Sequence, residues 1–161
     1  EISQSVYQIT IYKTLIQPVL TYGSEAWTIS NADENLLLIF ERRILRGIFR
    51  GICENGVSEV QLRGMVYHRY KQKFGGNDVV SLIRIGRLRW AEHLARSQQN
   101  NPPRIILISQ PVGSRNRGKP KLRWKDGVDE DGRQIGAANW QRLAMDRTDW
   151  RNRLGKVEAL S

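Results

Sequence analysis

Apolar residues recur at helical spacing through most of the chain. Residues 4–26 are apolar on nearly every side and predict a largely buried helix, within which Pro18 predicts a kink or an interruption. Ser30 or Asn31 can cap a second helix that runs to about Arg50. That helix has an apolar stripe, formed by Leu37, Phe40, Ile44 and Ile48. Almost opposite lies a basic stripe, formed by Arg42, Arg46 and Arg50.

The middle of the chain predicts a loop over 51–56, a less regular helix over 58–74 and a break at Gly75 and Gly76. A further helix is predicted over 79–96. Arg84 and Arg87 fall within its apolar arc. Since a buried guanidinium without a partner is costly, each must lie at the helix edge or be paired.

Residues 97–121 are rich in Gln, Asn, Pro, Gly and basic residues, which is typical of a linker, with Ile105–Ile108 as a short strand or a docked strip. A short helix follows Pro120, and a final helix is predicted over 138–158. Its apolar arc comprises Trp140, Leu143, Ala144, Trp150, Leu154 and Val157. Arg147 falls inside that arc, so we expect it to pair with Asp126 or Asp131.

The pattern as a whole predicts an all-α fold. We expect a small helix-bundle-like module at 1–98, a basic linker at 99–121 and a C-terminal helical segment at 122–161.

The charge of the chain indicates that this helical protein is a candidate to bind nucleic acid. The 161 residues carry 26 Lys plus Arg and 16 Asp plus Glu, for a net charge of +10. Residues 1–40 are near −3, and residues 41–161 are near +13. Most of the basic residues are Arg, whose planar fork binds phosphate in two places and stacks on bases. Charge alone leaves acidic proteins and anionic lipid open as partners.

The densest basic segment is 113–125, in which every second residue from 115 onward is Arg or Lys. Its members are Arg115, Arg117, Lys119, Lys121, Arg123 and Lys125. In an extended chain all six would point to one side, as a footprint for phosphates. A solvated basic loop is the alternative. Trp124 can stack on a base, although a tryptophan at helical spacing from Val128 favours a place in the core.

Other chemistry is weakly represented. Asp126, Asp129, Glu130 and Asp131 form an acidic cluster that could hold metal ions for phosphoryl transfer, but acids also collect at helix starts. The single cysteine, with two histidines, cannot complete an ordinary zinc site. No cofactor, no metal, no catalytic residue and no membrane span is predicted, the longest apolar run being Leu36–Phe40.

Five stretches carry a resemblance to a known family. They are 12–27 (YKTLIQPVLTYGSEAW), 40–46 (FERRILR), 87–93 (RLRWAEH), 113–124 (GSRNRGKPKLRW) and 144–151 (AMDRTDWR). In this order and spacing they resemble the C-terminal part of the reverse transcriptases of non-LTR (LINE-like) retrotransposons. Two positions depart from the family's pattern: Glu92 stands where a glycine is usual before His93, and Gly132 stands where an apolar helix former is usual.

The resemblance implies thumb-like helices and a basic segment that follow a polymerase palm. The family's polymerase site needs an Asp-Asp turn, and this chain contains no Asp-Asp pair. Together with a first residue that is Glu rather than Met, this leads us to expect a non-catalytic fragment of a longer intracellular protein, in the nucleus or in a cytoplasmic ribonucleoprotein.

The expected function is therefore to bind the backbone of an RNA template, an RNA:DNA hybrid or target DNA for an upstream palm. Arg115, Arg117, Lys119, Lys121 and Arg123 would be the main phosphate ligands, and Arg42, Arg46 and Arg50 a second line. The alternative is a helical interaction module that binds an acidic protein or packs on the parent polymerase, with Trp27, Trp90 and Trp140 as partly exposed anchors. A metal-dependent nuclease that uses Asp126, Asp129 and Asp131 is a third interpretation.

Overall fold

The computed structural model describes residues 2–49, 68, 70–72, 74–75, 77–109, 118 and 122–160. Among them are the α-helices α1 (Ile2–Ile11), α2 (Gln17–Thr21), α3 (Asn31–Phe49), α4 (Val79–Arg96), α5 (Pro102–Ile108), α6 (Trp124–Gln134), α7 (Trp140–Leu143) and α8 (Arg147–Leu160). The described residues 68, 70–72 and 74 are also helical. A π-helical turn, Tyr12–Ile16, joins α1 to α2, and a 3₁₀ turn covers Ser24–Ala26. Over these ranges the chain forms no strand, and the all-α, bundle-like prediction is confirmed.

The helices form two compact units. The first unit takes in 1–22 and 31–82, and the second takes in 23–30 and 83–161, so the first residues of α4 belong to the first unit and the others to the second. That residues 1–98 form a module of their own, with 99–121 as a linker, stays a prediction. The predicted loop at 51–56 and most of the predicted helix at 58–74 lie outside the described residues, as does Arg50.

The predicted kink or interruption at Pro18 takes the form of a local change of helix type, since residues 2–21 all remain helical. A proline has no N–H to donate, and its ring crowds the carbonyl four residues earlier in a regular α-helix. The chain widens into the π-helical turn just before it, where the Gln17 N–H donates to the carbonyl of Tyr12. Pro18 then lies in the first turn of α2, where the missing N–H costs nothing.

The prediction that 4–26 is largely buried is wrong. Ile9 and Tyr12 are buried, but Val19 is 79% exposed. Other apolar side chains of this segment are also exposed, namely Val6, Tyr7, Leu15, Ile16 and Tyr22. Only part of the apolar surface of this segment is therefore buried in the first unit. Among the described residues, the cluster that it joins comprises Ile9, Tyr12, Leu45, Phe49 and Tyr70.

The buried stripe of α3 is shifted by one residue from the predicted one. Glu41, Leu45 and Phe49 are buried, whereas Phe40 is 46% exposed. Glu41 can be fully buried in this stripe because donors from other segments bond to its carboxylate. Tyr12 donates its hydroxyl to Oε1 at 2.5 Å, and the Val79 backbone N–H donates to Oε2 at 3.0 Å.

Tyr70 packs beside this carboxylate in the first unit. Its ring meets Tyr12 edge-on at 6.2 Å between centroids, and Lys13 Nζ lies 5.4 Å from its centroid. Lys13 also donates to the carbonyl of Phe74 at 2.6 Å. Burial, reinforced by the negative charge of Glu41, raises the pKa of Tyr70 to about 12.

We expect this shift to make the stability of the chain fall in strong alkali. Because the folded state keeps the Tyr70 proton to higher pH than the unfolded chain, its contribution is complete below about pH 10 and is lost as pH rises toward about 12. Denaturant unfolding across this range should show a steeper loss for the wild type than for Tyr70→Phe. The exposed Tyr22→Phe is the control, and equal slopes for both variants would contradict the assignment.

The second unit has its own apolar core. Its buried members are Leu88, Ala91, Leu94, Leu107, Val128, Ala137, Trp140, Ala144, Trp150 and Leu154. Each of α4 to α8 contributes at least one of these side chains, and Ala137 and Ala144 lie between helices. Trp140 is buried here, which makes it a core residue rather than the partly exposed anchor that the protein-interaction alternative assigned to it.

Two secondary-structure predictions in this unit are corrected. Ile105–Ile108 is not a strand but part of α5, which begins with Pro102 and Pro103 in its first turn. The single helix predicted over 138–158 is two helices, α7 and α8. Asp146 divides them because its Oδ1 accepts the N–H groups of Thr148 and Asp149 at 2.9 and 3.1 Å, which is the arrangement of an N-terminal cap.

Candidate nucleic-acid interface

A buried ion pair fixes α6 against α4. Arg87 is 3% exposed, and its Nη2 lies 2.6 Å from Oδ2 of Asp131, to which its Nε–H also donates at 2.7 Å. Arg84 Nε lies 3.7 Å from the other oxygen of Asp131. This confirms the prediction that arginines in the apolar arc of 79–96 require an edge position or a partner.

The prediction that Arg147 pairs with Asp126 or Asp131 is wrong, because Asp131 pairs with Arg87 instead. Arg147 is exposed in the first turn of α8, because the cap at Asp146 begins a new helix there and takes Arg147 out of the apolar arc. Asp131 is engaged by Arg87 and Arg84, and Asp126 accepts the backbone N–H of Arg123 at 3.1 Å.

Gly127 allows α6 to approach the guanidinium of Arg87. A Cβ at this position would lie 2.7 Å from Nη1 of Arg87, a separation at which atoms overlap. The guanidinium cannot easily move away, since Asp131 holds it in the protein interior. The two glycines of α6 thus serve packing, because a Cβ on Gly132 would in turn meet the carbonyl of Ala137 at 3.0 Å.

Between α4, α5 and the start of α6 lies a groove of about 760 Å³, which we call the Trp90–Trp124 groove. It is lined by Ala26, Trp90, Leu94, Pro102, Pro103, Ile106, Leu107, Ser109, Arg123, Trp124, Lys125, Asp126 and Asp129. All of these residues belong to the second unit. The lining combines aromatic and aliphatic side chains with two cations and two carboxylates. The volume of the groove lies within the range of about 300–1,000 Å³ that is typical of ligand sites.

The indoles of the groove are held in place by local contacts. Trp124 donates its Nε1–H to the carbonyl of Glu25 at 2.7 Å and packs against the core of the second unit. Trp90 stacks on the ring of His93, with 5.3 Å between centroids and 25° between planes. Trp124 is therefore partly a core residue, as favoured from the sequence, and at the same time a wall of the groove.

Two smaller hollows adjoin the groove at Lys125. One, of about 320 Å³, is shared with Arg133 and Trp140, and the other, of about 300 Å³, is shared with Arg104 and Met145. Arg104 donates Nη1–H to the carbonyl of Ser97, while its Nε is buried without a hydrogen-bond partner in the part of the chain that the structure describes. Lys125 thus lies where three concave surfaces meet.

The four acids of the 126–131 cluster are engaged separately. Asp126 accepts from the backbone of Arg123, Asp129 from the indole N–H of Trp140 at 2.7 Å, and Glu130 pairs with Arg133 at 2.7 Å. Asp131 is in the buried ion pair. Within the described ranges, no three His, Cys, Asp or Glu side chains are grouped as metal ligands would be.

Of the predicted phosphate ligands, Arg123 and Lys125 line the groove. Arg115, Arg117, Lys119 and Lys121 lie outside the described residues, although Gly118 between them has a φ of 102°, which favours glycine. In the first unit, Arg46 is exposed on α3, and Arg42 donates its Nε–H to the Leu38 carbonyl at 3.2 Å.

The sequence analysis missed the contribution of α5 to the groove. Pro102, Pro103, Ile106 and Leu107 form one side of it, whereas the sequence placed them in a linker with a strand. The signal that could have revealed a helix is the Asn-Pro-Pro beginning, since Asn suits the position before a helix and Pro suits its first turn.

Comparison with known proteins finds sequence similarity to a protein of transposon origin. No protein-family model and no solved structure matches it. In the ranges described, no helix is both long and apolar enough to cross a membrane. The chain is 26% identical over 159 residues to a Caenorhabditis elegans protein described as transposon-derived. The match covers 92% of this chain and 54% of the relative, so the chain spans about half of that protein's length. This similarity supports a transposon-related origin.

Proposed function

We propose that this chain is a non-catalytic module from the C-terminal region of a non-LTR retrotransposon reverse transcriptase, and that it binds the backbone of RNA or DNA. The observation that carries the proposal is the Trp90–Trp124 groove, where Arg123 and Lys125 stand beside two indoles. Cations that contact phosphates beside aromatic rings are the usual composition of a surface that binds nucleic acid.

The position of the groove in the sequence adds support. Arg123 and Lys125 end the basic segment 113–125, which contains no acidic residue, so the residues that precede them in the sequence supply further cations. The resemblance to the retrotransposon enzymes and the similarity to a transposon-derived protein favour the same class of function. In this proposal the palm of the parent polymerase supplies the chemistry, and the module positions the nucleic acid.

The experiment is a fluorescence-anisotropy titration of the full chain against a primed RNA template and a DNA duplex at several salt concentrations. We expect the logarithm of the affinity to fall linearly with the logarithm of salt, with a slope of about −0.7 to −0.9 for each phosphate neutralised. The triple variant Arg115→Ala, Arg117→Ala, Lys119→Ala should reduce that slope by about 2 to 3.

A matched control removes the same charge elsewhere. Arg142, Arg147 and Arg151 are exposed and outside the lining of the groove, so their triple alanine variant should keep most of the slope. Equal losses in both triple variants would mean that net charge alone attracts the nucleic acid. A folded chain that binds neither ligand at low salt would overturn the proposal.

A second candidate is favoured by the exposed apolar side chains of the first unit. Val6, Tyr7, Leu15, Val19 and Tyr22 offer the apolar area that docking on another protein requires. This function is packing on the parent polymerase or on a separate protein partner. Binding of the isolated chain to the upstream palm in the absence of nucleic acid would favour it.

A further inference from the structure

The Trp90–Trp124 groove has more apolar surface than phosphate contacts need. Phosphates are held by cations and N–H groups at a surface, and they gain nothing from a trough lined with Leu, Ile, Pro and Trp. In this groove the two cations are accompanied by Leu94, Ile106 and Leu107 in addition to the indoles. The part of a nucleic acid that suits such a lining is the face of a base.

Trp90 offers a stacking surface for that face. Its side chain is 38% exposed, and it is already stacked on His93, so a base placed against the indole would extend an existing pair of rings. Stacking on an aromatic side chain tolerates any of the four bases, because each has a π-face. Arg123 is exposed at the same groove and can hold a phosphate next to the stacked base.

A base can reach this lining only when it is unstacked. In a duplex the faces of the bases are covered by their neighbours, whereas in a single strand they can be turned outward onto aromatic side chains. We infer that the Trp90–Trp124 groove receives an unstacked base of single-stranded nucleic acid, while Arg123 and Lys125 hold the adjoining phosphates. The inference rests on the proposed function and specifies the form of nucleic acid that its site selects.

The acids of the lining are compatible with this occupant. Asp126 and Asp129 accept hydrogen bonds from the Arg123 backbone and from Trp140, so each carboxylate is held in place by a donor of the protein and keeps its negative charge. They also restrict where a phosphate can lie, because like charges repel. Phosphates are therefore directed to Arg123 and Lys125, and the uncharged base to the apolar part of the groove.

The test separates bases from phosphates within one ligand. The full chain is titrated with a DNA strand of about 12 nucleotides, a length suited to known single-strand sites. A second strand of the same length carries abasic sites and so keeps every phosphate. We expect the intact strand to bind about tenfold more tightly than the abasic strand, which is the size of effect that one stacked base produces.

Two tryptophan variants complete the design. Trp90→Ala should remove most of the tenfold preference and leave the affinity for the abasic strand unchanged. Trp27→Ala is the matched control, since Trp27 belongs to the same unit and is also 38% exposed, but it does not line the groove. Its variant should keep the preference.

The two proposals fail in different ways. Equal affinities for intact and abasic strands, or equal effects of Trp90→Ala and Trp27→Ala, would overturn base insertion while leaving backbone binding intact. Absence of binding to either strand at low salt, by a chain shown to be folded, would overturn both. A higher affinity for the paired duplex than for the single strand would also overturn base insertion.

Discussion

Asp131→Ala is expected to lower the free energy of unfolding by about 3–5 kcal/mol, because it leaves the buried Arg87 guanidinium without a counterion. Arg87 and Asp131 are each only 3% exposed, so water cannot replace the lost carboxylate without opening the second unit. All five tryptophans belong to that unit, so urea unfolding followed by tryptophan emission reports on it directly.

The neighbouring Glu130→Ala is the matched control. Glu130 lies on the same helix, but its ion pair with Arg133 is exposed, and such pairs contribute about 0–1 kcal/mol. The double variant Arg87→Met, Asp131→Leu removes both charges, and we expect it to be more stable than Asp131→Ala alone, since no charge is left buried and unpaired. A loss for Asp131→Ala as small as that for Glu130→Ala would contradict the account.

Glu41→Ala is expected to destabilise the first unit by about 3–5 kcal/mol, since it combines a cavity with two lost hydrogen bonds. The hydroxyl of Tyr12 and the N–H of Val79 would both remain buried without their acceptor. All five tyrosines lie in the residue ranges of the first unit, so unfolding followed by tyrosine absorbance is the appropriate measurement.

The variant Tyr12→Phe measures how much of the stability lost in Glu41→Ala comes from the hydrogen bond of Tyr12. That variant removes one donor and leaves the carboxylate bonded to Val79, so we expect a loss of about 1–3 kcal/mol. Tyr7→Phe changes a hydroxyl that is exposed on α1 and should have little effect. If Glu41→Ala cost no more than Tyr7→Phe, Glu41 would not be the buried acceptor that organises this unit.

These two carboxylates mark the limit of what the sequence predicts about the fold. Helical spacing correctly predicted an all-α chain and a local irregularity of the helix at Pro18, because both depend on neighbours within a few residues. The apolar periodicity predicts that Phe40 is buried and Glu41 exposed, whereas the distant donors Tyr12 and Val79 allow Glu41 to be buried. Likewise, the sequence predicted that Arg87 needs a position at the edge or a partner, but the identity of Asp131 as the partner depends on how α4 and α6 pack.

The sequence likewise predicts one part of the candidate site and not the other. Arg123 and Lys125 could be singled out from the charge pattern, because a run of alternating cations is visible without a fold. The groove itself could not, since it combines Trp90, Ile106 and Trp124 from three segments far apart in sequence. The charge pattern favours an anionic ligand without choosing among nucleic acid, acidic protein and anionic lipid, whereas the groove exists only through the packing of α4, α5 and α6.

The π-helical turn at Tyr12–Ile16 bears on how relatives of this chain can vary in length. Such a turn holds one residue more than an α-helical turn between the same two ends. A relative with one residue fewer at this place can close the gap with a regular turn and keep the faces of α1 and α2 aligned. The same deletion inside α3 would rotate every later side chain by about 100°, taking Leu45 and Phe49 out of the core. Single-residue gaps in homologous sequences should therefore be found at 12–16 and be absent from 31–49.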